Sequence, residues 1–457
     1  MTDPQVAQAL SAALAAFAQR HRDLPAVLRR HFAVVAHGRR GVDELSEQRE
    51  LLIGAYFTHE YAVEAAALCN PSMVPHPDQA GLAAGQIRFL MSVRVIGEGH
   101  LSGIGFRTGV AGPGGQLVFD EPSATLVTGT SRPPVYDRGQ ISATLAGLDV
   151  DEETVDLLLR GLPDRFDAEE LRRATGALHP HLLARRAGQR AVEMVSAVSA
   201  TNYDLTFAAD TAIGERLLWP NSPTESHGME DARFVRFTDH DGSVRYCATY
   251  TAYDGERIAP QVLMTEDFRT FYVRQLTGSA ASDKGMALFP RPVGGRYLAL
   301  SRWDRETTSL ASSDDGYFWR RGPVLHAPGR GWELVKVGNC GSPVETDRGW
   351  LVLTHGVGVM RTYAIGALLL DLDDPARVLA ALPEPLLVPD GSERDGYVPN
   401  VVYSCGALRH GDTLTIPYGA SDATIRVAQV HLPALLDRLC AAPPEPEDGI
   451  RGLEPRP

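Results

Sequence analysis

A chain of 457 residues, 44% hydrophobic and 22% charged, has the composition of a folded globular protein long enough to bury a core without disulfide or metal staples. Its formal charge of −13 argues against a binder of nucleic-acid backbone, which needs clustered Lys and Arg. The five cysteines, Cys69, Cys247, Cys340, Cys405 and Cys440, are odd in number and form no close pair, so they read as reduced, buried thiols.

Residues 1–68 read as a helical segment, rich in Ala and Leu, with no Pro and a single Gly between Glu44 and Leu68. The apolar stretch near the start follows Asp3 and is too short and broken to span a bilayer. With no export signal, the expectation is a cytoplasmic protein without a membrane partner. Asn70-Pro71 ends the helical pattern, and β signals follow, in keeping with the many turns that 44 Gly and 31 Pro imply.

From there a unit of three short strands recurs five times: at 70–109, 229–268, 284–319, 341–375 and 398–432. Five such sheets predict a mainly β fold, a five-bladed β-propeller over 69–435, whose radial closure protects its strand edges. One segment breaks the rhythm. Residues 141–200 carry helical periodicity and are read as a helical insertion between the first two blades. With the N-terminal helices it can serve as a cap or a homo-oligomer contact, or be a plain buttress. Residues 436–457, rich in Pro and acid toward the end, are expected to be a disordered tail.

Antiparallel hairpins bring strand starts and strand ends to one end of each sheet. Strand starts place Asn70, Glu230-Asp231, Asp283-Lys284, Asn339 and Asn400 there; strand ends place Arg94, His100, Tyr253-Asp254, Arg302-Asp304, His355 and Asp422. Carboxylates, cations and amides lining one funnel suit sugar chemistry. Cleaving a glycosidic bond needs a carboxylic acid beside the leaving oxygen, and Glu230-Asp231 is the best candidate pair. Neighbours on a strand point to opposite faces, so one of the two is expected to face the funnel. His59, His76, His100, His227 and His355 show no metal-ligand spacing, and no metal is expected.

The runs GMEDARFVRF (228–237) and YTAYDG (250–255) resemble the G-x-E-D-P-R and Y-T-A-Y-D-G motifs of glycoside hydrolase family 130, the mannoside phosphorylases and β-mannosidases. KGMALFPRPVGGRYLALSR, GWLVLTHGV, YAIGALLLDLDDP, VPNVVYSCG and YGASD continue the resemblance in family order, across roughly residues 70–120 and 200–435. It implies Asp231 as the proton donor. It places Arg94 and Lys284, with His100 and Arg302, as phosphate ligands. His355 and Asp422 would line the mannose site, with Tyr253, Asp254, Glu230 and Asn400 as further substrate contacts. Two departures stand out: Ala232 replaces the motif proline, and V-I-G-E-G-H-L-S follows Arg94 where phosphorylases carry a basic D-R-x-S-like signature, so that one expected phosphate cation is either His100 or missing.

Phosphorolysis needs cations and no general base, because phosphate arrives as an anion. Lys336 and Arg361 could join Arg94, Lys284, Arg302 and His100 in that role. Hydrolysis needs a second carboxylate, for which Glu98, Glu306 and Glu333 are the candidates. The matched Arg94 and Lys284 favour an inverting β-mannoside phosphorylase that takes a mannoside and inorganic phosphate to α-mannose 1-phosphate without a cofactor. An inverting β-mannosidase and a non-catalytic carbohydrate-binding propeller are the alternatives.

Overall fold

The computed structural model describes residues 1–36, 45–58, 65–146 and 152–441. His59 and the end of the expected tail, 442–457, lie outside them. Three helices, Asp3–Phe17, Leu24–Ala36 and Glu47–Tyr56, open the chain and share an apolar seam of Leu10, Leu24, Leu28 and Leu51.

Five antiparallel sheets follow, each of four or more strands. The first runs Ala67–Pro75, Ile87–Ile96, Ser102–Ala111, Leu117–Phe119. The second begins Gly228–Thr238, Val244–Tyr253, Ile258–Thr265, Thr270–Gln275, and is extended outward by Tyr203–Thr206 and Thr130–Arg132. The third is Ala287–Leu288, Tyr297–Ser301, Thr308–Ser313, Arg320–His326. The fourth centres on Gly349–Val357 and Tyr363–Leu370, with Lys336–Asn339 and Val344–Thr346 both on the edge of Gly349–Val357 opposite Tyr363–Leu370. Its first strand therefore begins at Lys336, not at residue 341. The fifth centres on Thr413–Ala420 and Thr424–His431, with Val402–Tyr403 and Leu408–His410 alongside.

The sheets are hydrophobic on both faces because each is packed between two others; all nine residues of Gly349–Val357 are buried. Leu90, Ile104 and Phe106 of the first sheet meet Phe234, Tyr246 and Leu263 of the second. Val235 and Phe237 meet Leu288 and Trp319 of the third. Phe289 and Leu300 meet Trp350 and Val352 of the fourth. Leu351 and Ile365 meet Leu414 and Ile416 of the fifth, and Leu408 of the fifth returns to Met73, Phe89 and Met91 of the first.

The helices Arg138–Ala146, Glu152–Arg160, Ala168–Gly176, Pro180–Leu183 and Arg186–Thr201 fall where helical periodicity places them. They enclose their own core, with Ile141, Leu145, Leu158, Leu159 and Val195. They leave and rejoin the outer edge of the second sheet, where Arg132 pairs with Asp204. At the other end, residues 436–441 do not belong to a disordered tail. They finish the helix Leu432–Ala441, because Leu432, Leu435, Leu436 and Leu439 recur on one face and fill the core between the fourth and fifth sheets.

Candidate active site

The pairing of Gly228–Thr238 with Val244–Tyr253 joins Glu230 to Thr251 and resumes at Arg233 with Thr249. Asp231 and Ala232 thus form a bulge, and Asp231 takes the left-handed region at φ 56°. Such a conformation costs a non-glycine residue on the order of 1–3 kcal/mol and is retained where surrounding contacts impose it. The same irregularity recurs at the start of the first sheet, between Cys69 and Ser72, with Asn70 at φ 50°.

The bulge overturns one expectation. Regular alternation would turn Glu230 and Asp231 to opposite faces, but the extra residue breaks the alternation, and both carboxylates lie among the same cations. Arg94 Nη2 donates to Glu230 Oε1 at 2.7 Å, and Lys284 Nζ bonds Oε2. Burial pushes the Asp231 carboxyl up, yet Arg233, Lys284, Arg94 and Arg302 together outweigh it and hold the group below the usual carboxylate range.

Arg233, 1% exposed, is the anchor beneath. It donates to the Asp231 carbonyl at 2.8 Å, to the Cys340 carbonyl at 2.8 Å and to the Tyr403 hydroxyl at 2.8 Å, with Nη2 3.6 Å from Asp231 Oδ2. Arg302 Nη1 donates to His355 Nε2 at 3.1 Å, and its Nη2 lies 3.8 Å from Asp283, not beside Asp304. Asp304 instead accepts from the Glu306 and Thr307 amides of its own turn. Because guanidinium only donates, His355 carries its hydrogen on Nδ1 and is neutral. Burial, then Arg302, Lys336 and Arg233, push its pKa well below the ordinary value. Its ring packs against Tyr403 at 4.8 Å and Tyr363 at 6.2 Å. Lys336 Nζ stands 5.5 Å from the Tyr363 ring centre and therefore faces this cluster.

Asp422 lies in the turn after Thr413–Ala420, at φ 50°. The turn is tied down by Ser421 N–H to Val401 O at 2.8 Å and Val398 N–H to Ser421 O at 3.0 Å. Burial, then the charge of Asp231, raise its carboxyl from the usual 3.8 to about 6, against the pull of Arg94. Two interacting carboxyls are thus driven apart, one kept ionised and one holding its proton toward neutrality.

The remaining candidates divide. Tyr253 bonds the Gly255 carbonyl at 2.6 Å and places its ring centre 6.0 Å from Lys284 Nζ. Asp254 accepts from the Glu256 and Arg257 amides and shapes that turn. Asn400, at φ 61°, accepts the Tyr363 amide on its carbonyl at 3.0 Å. His100 is exposed on the rim and pairs with the Tyr397 hydroxyl at 3.1 Å, apart from the cations that act on Asp231. Arg361, Glu98 and Glu306 are exposed. Glu333 is fully buried against His326 and Arg330, both at 2.9 Å, so it serves a structural ion network. Among the described residues, no group of three or more His, Cys, Asp and Glu is arranged to hold a metal. Sequence reasoning gives no role to Arg233, Tyr363 or Tyr403. The one available signal was a charge set between apolar residues in the run ARFVRF.

The family model described as beta-1,4-mannooligosaccharide phosphorylase matches residues 208–440. A 1,2-beta-oligomannan phosphorylase of Thermoanaerobacter sp. (strain X514) is 35% identical over 212 residues, 46% of this chain and 70% of its own. A beta-1,2-mannobiose phosphorylase of Listeria innocua serovar 6a is 31% identical over 232 residues, 49% of this chain and 63% of its own. The solved Listeria innocua beta-1,2-mannobiose phosphorylase complex aligns over 82% of this chain and 97% of that one, at 20% identity and a TM-score of 0.45.

Proposed function

The chain belongs to glycoside hydrolase family 130, and from that premise we propose that it is an inverting β-mannoside phosphorylase. The observation that carries the reading is the convergence of Arg94, Lys284, Arg302 and Arg233 on Asp231. A site so rich in cations can hold an inorganic phosphate against its own carboxylates, and a phosphate nucleophile needs no general base. We further read the five sheets as the blades of one propeller. Support comes from the apolar clusters that join each sheet to the next and the fifth to the first.

In the reaction, a phosphate oxygen held by Arg94 and Lys284 attacks the anomeric carbon from the face opposite the glycosidic oxygen. The C1–O bond to the leaving sugar breaks, its oxygen takes the proton of Asp231, and α-mannose 1-phosphate forms with inversion. Phosphate is the co-substrate, and the chemistry calls for no cofactor. Asp231 is held ionised in the empty site, so it must gain a proton before it can give one. A phosphate dianion offsets Arg94 and Lys284, which lets burial dominate and raises the Asp231 pKa. Phosphate binding and loading of the acid are therefore linked. Glu230, with both oxygens taken by cations, holds Arg94 and Lys284 in place and does not touch the sugar. His355, Asp422, Asn400 and Tyr253 form the mannose side of the site.

The relatives named above carry β-1,2-mannoside names, which makes β-1,2-mannobiose the first substrate to try and β-1,4-mannobiose the second. The purified protein should convert one of them to α-mannose 1-phosphate only when phosphate is present. Asp231→Asn should reduce that rate by about 10²–10⁴-fold with the fold intact. Hydrolysis is the second reading, favoured by Asp422, whose near-neutral carboxyl could act as the base for water. Free mannose released at equal rate without phosphate would establish it in place of phosphorolysis.

A further inference from the structure

The inner strands that bring Asp231, Lys284 and Asn400 to one end also run to an opposite end, and a second cavity of about 290 Å³ lies there. All five sheets or their adjoining loops contribute to its wall, through Met73, Phe234, Pro290, Pro343 and Leu408 among others. Three guanidinium groups stand around it: Arg236 from the second sheet, Arg291 from the third and Arg409 from the fifth. Among the described residues, Glu345 is the one carboxylate in the wall. Arg291 pairs with it in bidentate fashion, at 3.0 and 2.7 Å, and Arg409 Nη1 donates to its backbone carbonyl at 2.7 Å. The Arg291 side chain lies over Trp350, its guanidinium carbon 4.9 Å from the ring centre. Arg236 is exposed on its strand, opposite Tyr246. The wall therefore keeps an excess of two positive charges in a chain whose net charge is −13.

The cavity is separate from the catalytic funnel: Arg233 and Phe234 fill the strand between them, and five residues of strand from Asp231 to Arg236 span about 16 Å.

We propose that this cavity is a second ligand site, which takes a small phosphate ester of about hexose size. Its phosphate would meet Arg236 and Arg409, and its carbon body the apolar wall of Met73, Phe234 and Leu408. Planar guanidinium forks from separate sheets suit an oxyanion with several acceptor oxygens. Since one strand, Gly228–Thr238, carries Asp231 near one end and Arg236 near the other, an occupant here bears on the strand that presents the catalytic acid.

The test is a binding titration with glucose 6-phosphate, read by calorimetry on the full chain, in a Lys284→Ala background that disables the catalytic anion site. One equivalent should bind. Adding Arg236→Ala or Arg409→Ala should weaken it at least tenfold. No binding in the Lys284→Ala protein, or binding indifferent to both added substitutions, would overturn the proposal. The measurement involves no turnover, so its outcome is independent of whether the funnel performs phosphorolysis.

Discussion

Glu230 and Lys284 show how neighbouring charges divide labour. In the proposed reaction Lys284 faces the attacking anion, and Lys284→Ala should raise the phosphate KM at least tenfold. On the same reading Glu230 competes with phosphate for the same cations while fixing their spacing. Glu230→Gln should therefore lower kcat at least tenfold without raising the phosphate KM, a split that steady-state kinetics against phosphate would read. A raised KM with kcat unchanged would instead mean that Glu230 acts only through binding. Asp422 makes a different prediction. Its folded-state pKa, about 6, lies above the usual 3.8, so the folded protein binds that proton more tightly than the unfolded chain. Stability falls as pH rises between these values, and the deficit is complete above about 6. Asp422→Asn should raise Tm at pH 8, leave it nearly unchanged at pH 4, and cost at least tenfold in turnover; equal melting curves at pH 8 would refute the strained carboxyl.

At the scale of elements, two short features position the site. The bulge at Asp231 puts consecutive carboxylates among one set of cations, and Gly338 allows His355 and Arg302 to lie against the strand Lys336–Asn339. A Cβ at Gly338 would come within 2.5 Å of His355 Cε1 and 3.2 Å of Arg302 Nη1. Gly338→Ala should thus displace that pair and lower activity at least tenfold while the strand persists, which circular dichroism and kinetics would separate. The final helix is as structural as any of the sheets. Leu436→Ala removes a side chain 3% exposed from the core between the fourth and fifth sheets and should cost about 2–5 kcal/mol in denaturant unfolding. A loss under about 0.5 kcal/mol would return the helix to the status of a tail.

For the whole molecule, the helical insertion departs and returns at adjacent points of one sheet edge, Arg132 and Asp204. It has its own core, and its chief contact with the second sheet is through the helix Arg186–Thr201 against Thr270–Gln275. Replacing residues 136–201 by a short Gly–Ser linker should leave a soluble protein with turnover of a mannobiose within tenfold of the full chain, since insertions with neighbouring ends are removable. Loss of folding on excision would make the insertion a constituent of the core.

The strands, the helices of the insertion and the gathering of Arg94, Glu230, Asp231, Lys284, Arg302, His355 and Asp422 were legible in the sequence. Apolar runs bounded by turns mark strands through local periodicity, and strand starts and ends collect at one end of antiparallel sheets. Three things were decided only by the tertiary structure. The bulge at Asp231 depends on a partner strand that offers one residue fewer, which no local pattern records. The place of His100 depends on Tyr397, nearly three hundred residues away, and the burial of Arg233 depends on Cys340 and Tyr403 arriving from other sheets. Charge balance is likewise a property of the assembled site: Asp231 and Asp422 are the same residue type, and only the cations and burial around each set one below and the other above the ordinary carboxyl value.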